Sequence, residues 1–118
     1  MLNVAQAEAP IGKEKTYPKG LPEYKEFAFD VVSTKWSEDQ WEFFDDLITR
    51  ESNWNPNAQN KTSTAFGVGQ FLNSTWKIVG CEKTAEINKQ IICTADYVEK
   101  IYETPEKAIL HHNQANWY

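Results

Sequence analysis

An apolar stripe that ends in an acid is the first constraint on this chain. Between Ser37 and Ser52, the residues Trp41, Phe44, Leu47, Ile48 and Glu51 recur at spacings of three and four, so on a helix they project from one face. Ser37 with Gln40 forms a capping-box pattern, and Glu38 and Asp39 sit in the first turn, where the helix dipole favours anions. The helix is expected to start near Glu38 and to close at about Ser52. Glu51 then has two readings. Its carboxylate can lean past the last turn into solvent, or the apolar face shelters it, disfavouring its charge and raising its pKa toward the range a general acid needs.

The stretch after the helix bears on that choice. Asn53 to Asn60 is rich in turn formers, and Pro56 is poorly tolerated inside a helix and restricts Asn55 before it. Gly67 and Gly69, two apart and just ahead of Gln70, permit backbone geometry and close approach that bulkier residues block. Asn73, Ser74 and Thr75 offer caps for a helix through Trp76, Ile78 and Val79. The layout is an acid on a helix end, a long turn, and a Gly-bracketed amide beside a second helix.

Glu51-Ser52, Gly67-Val68-Gly69-Gln70 with Ser63 and Ala65 ahead of it, Ser74-Thr75-Trp76, and Ala108-Ile109-Leu110-His111-His112-Asn113 together resemble the soluble lytic transglycosylase (SLT) domain of the lysozyme superfamily. The likeness covers roughly residues 36–118 and lies nearest to small secreted or phage-associated versions. It implies a mainly α, lysozyme-like (goose-type) helical domain with at most a short β-hairpin near residues 62–68. It further implies an enzyme that cleaves the β-1,4 bond between N-acetylmuramic acid and N-acetylglucosamine in peptidoglycan, with Glu51 as the catalytic residue and no cofactor or metal. Ser52, Ser63, Phe66, Gln70, His112, Asn113, Trp117 and Tyr118 would contact the glycan or brace the acid. Larger relatives carry Ala-Tyr-Asn where this chain has His111-His112-Asn113, so His112 takes the place of a substrate-positioning Tyr.

Glycoside hydrolysis usually takes two carboxylates on opposite sugar faces. Asp45 and Asp46 project away from the Glu51 face, and Glu82, Glu86, Asp96 and Glu103 fall on surfaces that read as packing or solvent-facing. The lack of a second acid agrees with what the resemblance implies, a transglycosylase in which one carboxyl serves first as acid and then as base, leaving a 1,6-anhydro product. Two alternatives remain open: a hydrolytic muramidase, and a non-catalytic glycan-binding or virion-structural module.

The chain has 118 residues and a net charge of −5, which fits one small domain and argues against a partner bound by neutralising phosphates. No run is long enough to span a membrane. Peptidoglycan strands are themselves largely anionic, so affinity would come from a groove. Five Trp, five Tyr and six Phe supply rings for one; Trp41, Phe44 and Trp76 sit at helical spacing and read as core, while Trp117 and Tyr118 are the better groove residues. A monomer is expected.

Cys81 and Cys93 are the only cysteines. Paired, they would close a short loop, adding about 3 kcal/mol on the chain-entropy model and implying an oxidising compartment: secreted, cell-wall, periplasmic or virion-associated. Two reduced thiols, or a zinc site shared with His111-His112, are the competing readings.

Residues 1–20 read as a flexible leader, with Ala5-Gln6-Ala7 resembling the site of a cleaved export signal, and residues 21–118 as the domain. Pro22 opens a first helix running to Trp36, expected to pack beneath the one carrying Glu51. Thr84 begins a longer helix with Ile87, Ile91, Ala95, Val98 and Tyr102 on one face, the central core helix. Thr104-Pro105 starts a last one, in which His112 points with Ala108 and Ile109. There it is either a satisfied core histidine or a neighbour of Glu51.

Overall fold

Five α-helices and one 3₁₀ turn make up residues 17–115, the part of the chain that the computed structural model describes. Helix α1 (Glu23–Lys35) opens on Pro22, whose carbonyl accepts from the amides of Lys25 and Glu26. It buries Ala28, Phe29 and Val32, and packs along α4 (Ile87–Tyr102) as well as against the Glu51 helix, where Phe29 meets Trp41. The 3₁₀ turn Glu38–Gln40 leads into α2 (Trp41–Ser52), which buries Trp41, Phe44, Leu47 and Ile48 as their spacing predicts. Helix α3 (Asn73–Ile78) is short, and α5 (Pro105–Ala115) packs against α2 and α4. The fold is mainly α. Among the described residues there is no strand: two isolated antiparallel bridges, Gln59 with Phe66 and Phe66 with Phe71, stand where a hairpin was allowed.

Several helix starts differ from the sequence expectation. The capping box at Ser37 does not form, because the chain enters α2 through a 3₁₀ turn and no side chain caps it. Ser37 donates instead to Asp39, and Gln40, 8% exposed, accepts from the Glu106 amide at 3.0 Å, tying the start of α2 to the start of α5. Helix α4 begins at Ile87, not Thr84, since the Glu86 carboxylate caps it by accepting from the amides of Asn88 and Lys89. At α3 the free Asn73 amide is met by Thr64 Oγ1 at 3.0 Å. The Thr104 start is as expected, with Oγ1 accepting from the Lys107 amide at 3.2 Å.

The core joins α1, α2 and α4 through Phe29, Val32, Phe44, Ile48, Ile91 and Ala95, and a second cluster of Leu47, Val98, Ala108 and Ile109 seats α5. Tyr17, inside the stretch assigned to the leader, lays its ring 5.8 Å from Phe29 and donates to Asp30 at 3.1 Å. Cys81 and Cys93 form a disulfide beside Phe71 and Trp76, which removes both thiols from any zinc site. No helix among the described residues is long and apolar enough to cross a membrane.

Candidate active site

Helix α2 ends at Asn53 in the left-handed region (φ 52°), and Trp54 follows it there (φ 62°). A bulky residue avoids that conformation. Burial holds it, for Trp54 is 4% exposed among Trp41, Phe44 and Tyr24, and its indole donates to Asp45 Oδ1 at 2.8 Å. The chain is thereby turned back over the end of α2, where Glu51 lies.

Glu51 is sheltered: its side chain is 16% exposed, and burial pushes its carboxyl up to about 7. One group touches it and two more feel its charge. His112 Nε2 of α5 stands 3.3 Å from Glu51 Oε2, and the hydroxyls of Tyr97 and Tyr102 on α4 are raised first by burial and further by the Glu51 charge, Tyr102 to about 12. The two tyrosines also hydrogen-bond to each other. His112, 14% exposed, is held below its ordinary value by burial and by the neighbouring Arg50 charge. At pH 7 the contact therefore joins an acid near its midpoint to a neutral imidazole, not two full charges.

Behind this pair, Arg50 is gripped by Asp46 through two bonds (Nε to Oδ1 at 3.2 Å and Nη2 to Oδ2 at 2.9 Å). Its remaining Nη1 donates to Asn113 Oδ1 at 2.6 Å and lies 3.4 Å from His112 Nδ1.

The Gly-bracketed turn packs against the same helix end. Ser52 Oγ donates to the Val68 carbonyl at 2.8 Å. Gly67 has φ 88°, and a Cβ there would sit 2.8 Å from Cδ of Gln90. Only glycine suits both demands. Gln90 is buried and makes three bonds, one of them to the turn: its Oε1 accepts from the Val68 amide at 2.9 Å, and its Nε2 donates to the carbonyls of Pro56 at 3.0 Å, in the loop after α2, and Thr84 at 2.6 Å, in the loop before α4. Gln70 Nε2 donates to the carbonyls of Ala58 and Gly67, at 3.0 and 2.9 Å, so the amide nitrogen serves the turn itself.

Of the residues singled out from sequence, Glu51, Ser52, His112 and Asn113 converge where α2 meets α5 and the glycine turn. Ser63 is exposed and accepts from the Ala65 amide, and Phe66 packs with Phe71 and Trp76 under the Lys83 ammonium at 5.3 Å. Trp117 and Tyr118 lie outside the described residues. Sequence reasoning passed over Tyr97, Arg50 and Gln90. A signal existed for two of them: Gln90, Thr94 and Tyr97 recur at four and three beside the apolar stripe of α4, marking a second, polar ridge.

Apart from Asp46, which Arg50 grips beside His112, the other carboxylates in ion pairs among the described residues are engaged by lysines. Asp96 and Glu99 pair with Lys35, Asp45 with Lys25, and Glu103 with Lys107. No family model, curated protein or solved structure matches the chain.

Proposed function

We propose that the protein is a lysozyme-like lytic transglycosylase that cuts peptidoglycan between N-acetylmuramic acid and N-acetylglucosamine, with Glu51 as its acid and base. The observation that carries this reading is a sheltered carboxyl with its pKa at about 7, in contact with a neutral histidine and close enough for its charge to reach two tyrosine hydroxyls. A group poised near the working pH can both give and take a proton.

In the first step the Glu51 carboxyl donates its proton to the glycosidic oxygen as the bond from C1 of the muramic sugar to that oxygen breaks. The sugar's own N-acetyl carbonyl oxygen closes on C1 and carries the developing positive charge. In the second step the Glu51 carboxylate takes the proton from the 6-hydroxyl, whose oxygen attacks C1 and displaces the acetamido oxygen. The products are a 1,6-anhydro sugar and a free 4-hydroxyl, and the carboxyl is protonated again. No water is consumed. One acid suffices, which is in keeping with the neighbouring Asp46 being taken up by Arg50. The disulfide is in keeping with action outside the reducing cytoplasm, in the wall or periplasm or on a virion.

Glu51→Gln tests the reading, since the amide keeps the shape and cannot donate as an acid. Purified peptidoglycan should resist the variant while the parent releases anhydro muropeptides, each one water lighter by mass spectrometry than the reducing-end product of a hydrolase. A variant that lyses like the parent would remove the assignment; a heavier product would turn it to a muramidase.

A further inference from the structure

Arg50 is on the exposed side of α2, yet its guanidinium is held from three directions: by both carboxylate oxygens of Asp46, by Asn113 Oδ1, and by contact with the ring of His112. A guanidinium has donors and no acceptor. Whatever hydrogen bond it makes to His112 must therefore end on a bare nitrogen, and the nitrogen it faces, at 3.4 Å, is Nδ1. The ring's proton is then left on Nε2, the atom 3.3 Å from Glu51 Oε2.

We propose that Arg50 is a positioning residue for Glu51 that acts through His112: clamped by Asp46, it reserves Nδ1 as an acceptor and so aims Nε2–H at the Glu51 carboxyl. This rests on Glu51 being the acid and base described above. A neutral imidazole that donates from Nε2 steadies the carboxylate formed once the glycosidic oxygen has taken its proton. An imidazolium in the same place would strip the acid of that proton before the substrate arrives, because an opposite charge within about 4–6 Å favours the carboxylate. The Nδ1 proton of an imidazolium would point at the guanidinium, so Arg50 opposes that state by geometry as well as by charge. The other titratable groups near the pair are Asp46 on α2, whose charge pulls the ring the other way, His111 on α5, which adds to the effect of Arg50, and Tyr97 and Tyr102 on α4, both neutral in this range. Asp46 raises the ring less than burial and Arg50 lower it, and a hydrogen bond with the residue's own backbone adds a smaller raise, so the net direction is downward.

Nitrogen-15 NMR of the full chain reads the tautomer directly, with His112→Gln separating its signals from those of His111. The parent should show Nδ1 bare and Nε2 protonated, with the ring still neutral below pH 6.5. In Arg50→Met the tautomers should mix, the ring should titrate about one pH unit higher, and the alkaline limb of lysis should move down by about one unit. Lysis above pH 7 would then fall about tenfold. Arg50→Lys should recover part of both effects, as it restores a donor and a charge without the two-point grip on Asp46.

A parent ring protonated on Nδ1 overturns the proposal and needs no variant at all. So does an Arg50→Met protein whose His112 signals and pH limb match the parent's. An upward move of the limb also overturns it, because Arg50 would then be acting on Glu51 directly as a charge. Glu51→Gln run beside these keeps the two readings apart: if it is active the acid assignment fails, whereas if it is dead and His112 is unaffected by Arg50→Met, only the positioning role fails.

Discussion

The Ser52 hydroxyl reaches across 16 residues of chain to the carbonyl of Val68, at 2.8 Å, and this bond ties the end of α2 to the glycine turn one residue after Glu51. Ser52 also lies 3.3 Å from the Ile48 carbonyl, but a hydroxyl has one proton and the shorter contact takes it. In Ser52→Ala the buried Val68 carbonyl loses its partner, which should cost about 1–2 kcal/mol and lower the melting temperature by about 5–10 °C. Lysis at a temperature where the variant is fully folded should fall further than that loss explains, since the turn no longer holds its place beside the acid. Thermal unfolding and initial rates on the same preparation check both.

The raised Glu51 carboxyl makes both stability and lysis depend on pH. Its folded value of about 7 lies above the ordinary value, so between the two the folded state holds more protons than the unfolded one. Stability from this group is complete below the unfolded value, falls as pH rises, and is lost above about 7. The shift corresponds to a loss on the order of 3 kcal/mol. Urea titrations at pH 5 and pH 8 should show it in the parent and lack it in Glu51→Gln, which should be the more stable of the two at pH 8. Lysis by the parent should decline through the same range, as the acid form is depleted. A parent equally stable at both pH values would mean that the carboxyl is solvated.

Periodicity carried most of the fold. The α2 stripe from Trp41 to Ile48 and the α4 stripe from Ile91 to Val98 are buried as their spacing required, because burying a helix face is a property of the helix itself. Caps were less legible. Ser37 and Gln40 have the right residues at the right spacing for a reciprocal cap, but the amide Gln40 meets belongs to Glu106, 66 residues away, and no local pattern announces that. At the site, Glu51 was visible as an acid on an apolar stripe. Tyr102 was visible only as a core position and Tyr97 not at all, since a tyrosine whose hydroxyl feels a carboxyl's charge has the same spacing as a ring that merely packs. Arg50 with Asp46 forms an ordinary i, i+4 ion pair by sequence. Its contact with α5 appears only once α5 is docked.

Gly67 is the place where the turn is least tolerant. Alanine there would carry a left-handed φ of 88° and a methyl group 2.8 Å from Gln90, a side chain fixed by three hydrogen bonds. Backbone strain of about 1–2 kcal/mol would add to at least one broken buried bond at about 1–3 kcal/mol. Gly67→Ala should therefore lose roughly 2–4 kcal/mol in urea unfolding, and hydrogen exchange at the Val68 amide should rise. Gln90→Ala provides the control: it removes the clash, so the double variant should be less destabilised than the sum of the two single variants.

The disulfide joins the loop after α3 to α4 in the same cluster as Tyr97, and its removal should test whether stability and chemistry separate. Cys81 and Cys93 are 12 residues apart and pack with Phe71, Trp76 and Tyr97, the last standing one helical turn after Cys93 on α4. Opening a loop of this length should cost about 3 kcal/mol on the chain-entropy account. Reduction, or replacement of both cysteines by serine, should then lower the melting temperature by about 15 °C while leaving the midpoint of the pH–lysis curve where it was, because Tyr97 keeps its ring contacts with Phe71 at 5.2 Å and Tyr102 at 6.2 Å without the sulfur bridge. The measurement is a melting curve and a pH–rate profile, each with and without reductant. A shift of the pH midpoint on reduction would show that the disulfide holds the acid's surroundings in place, not only the fold.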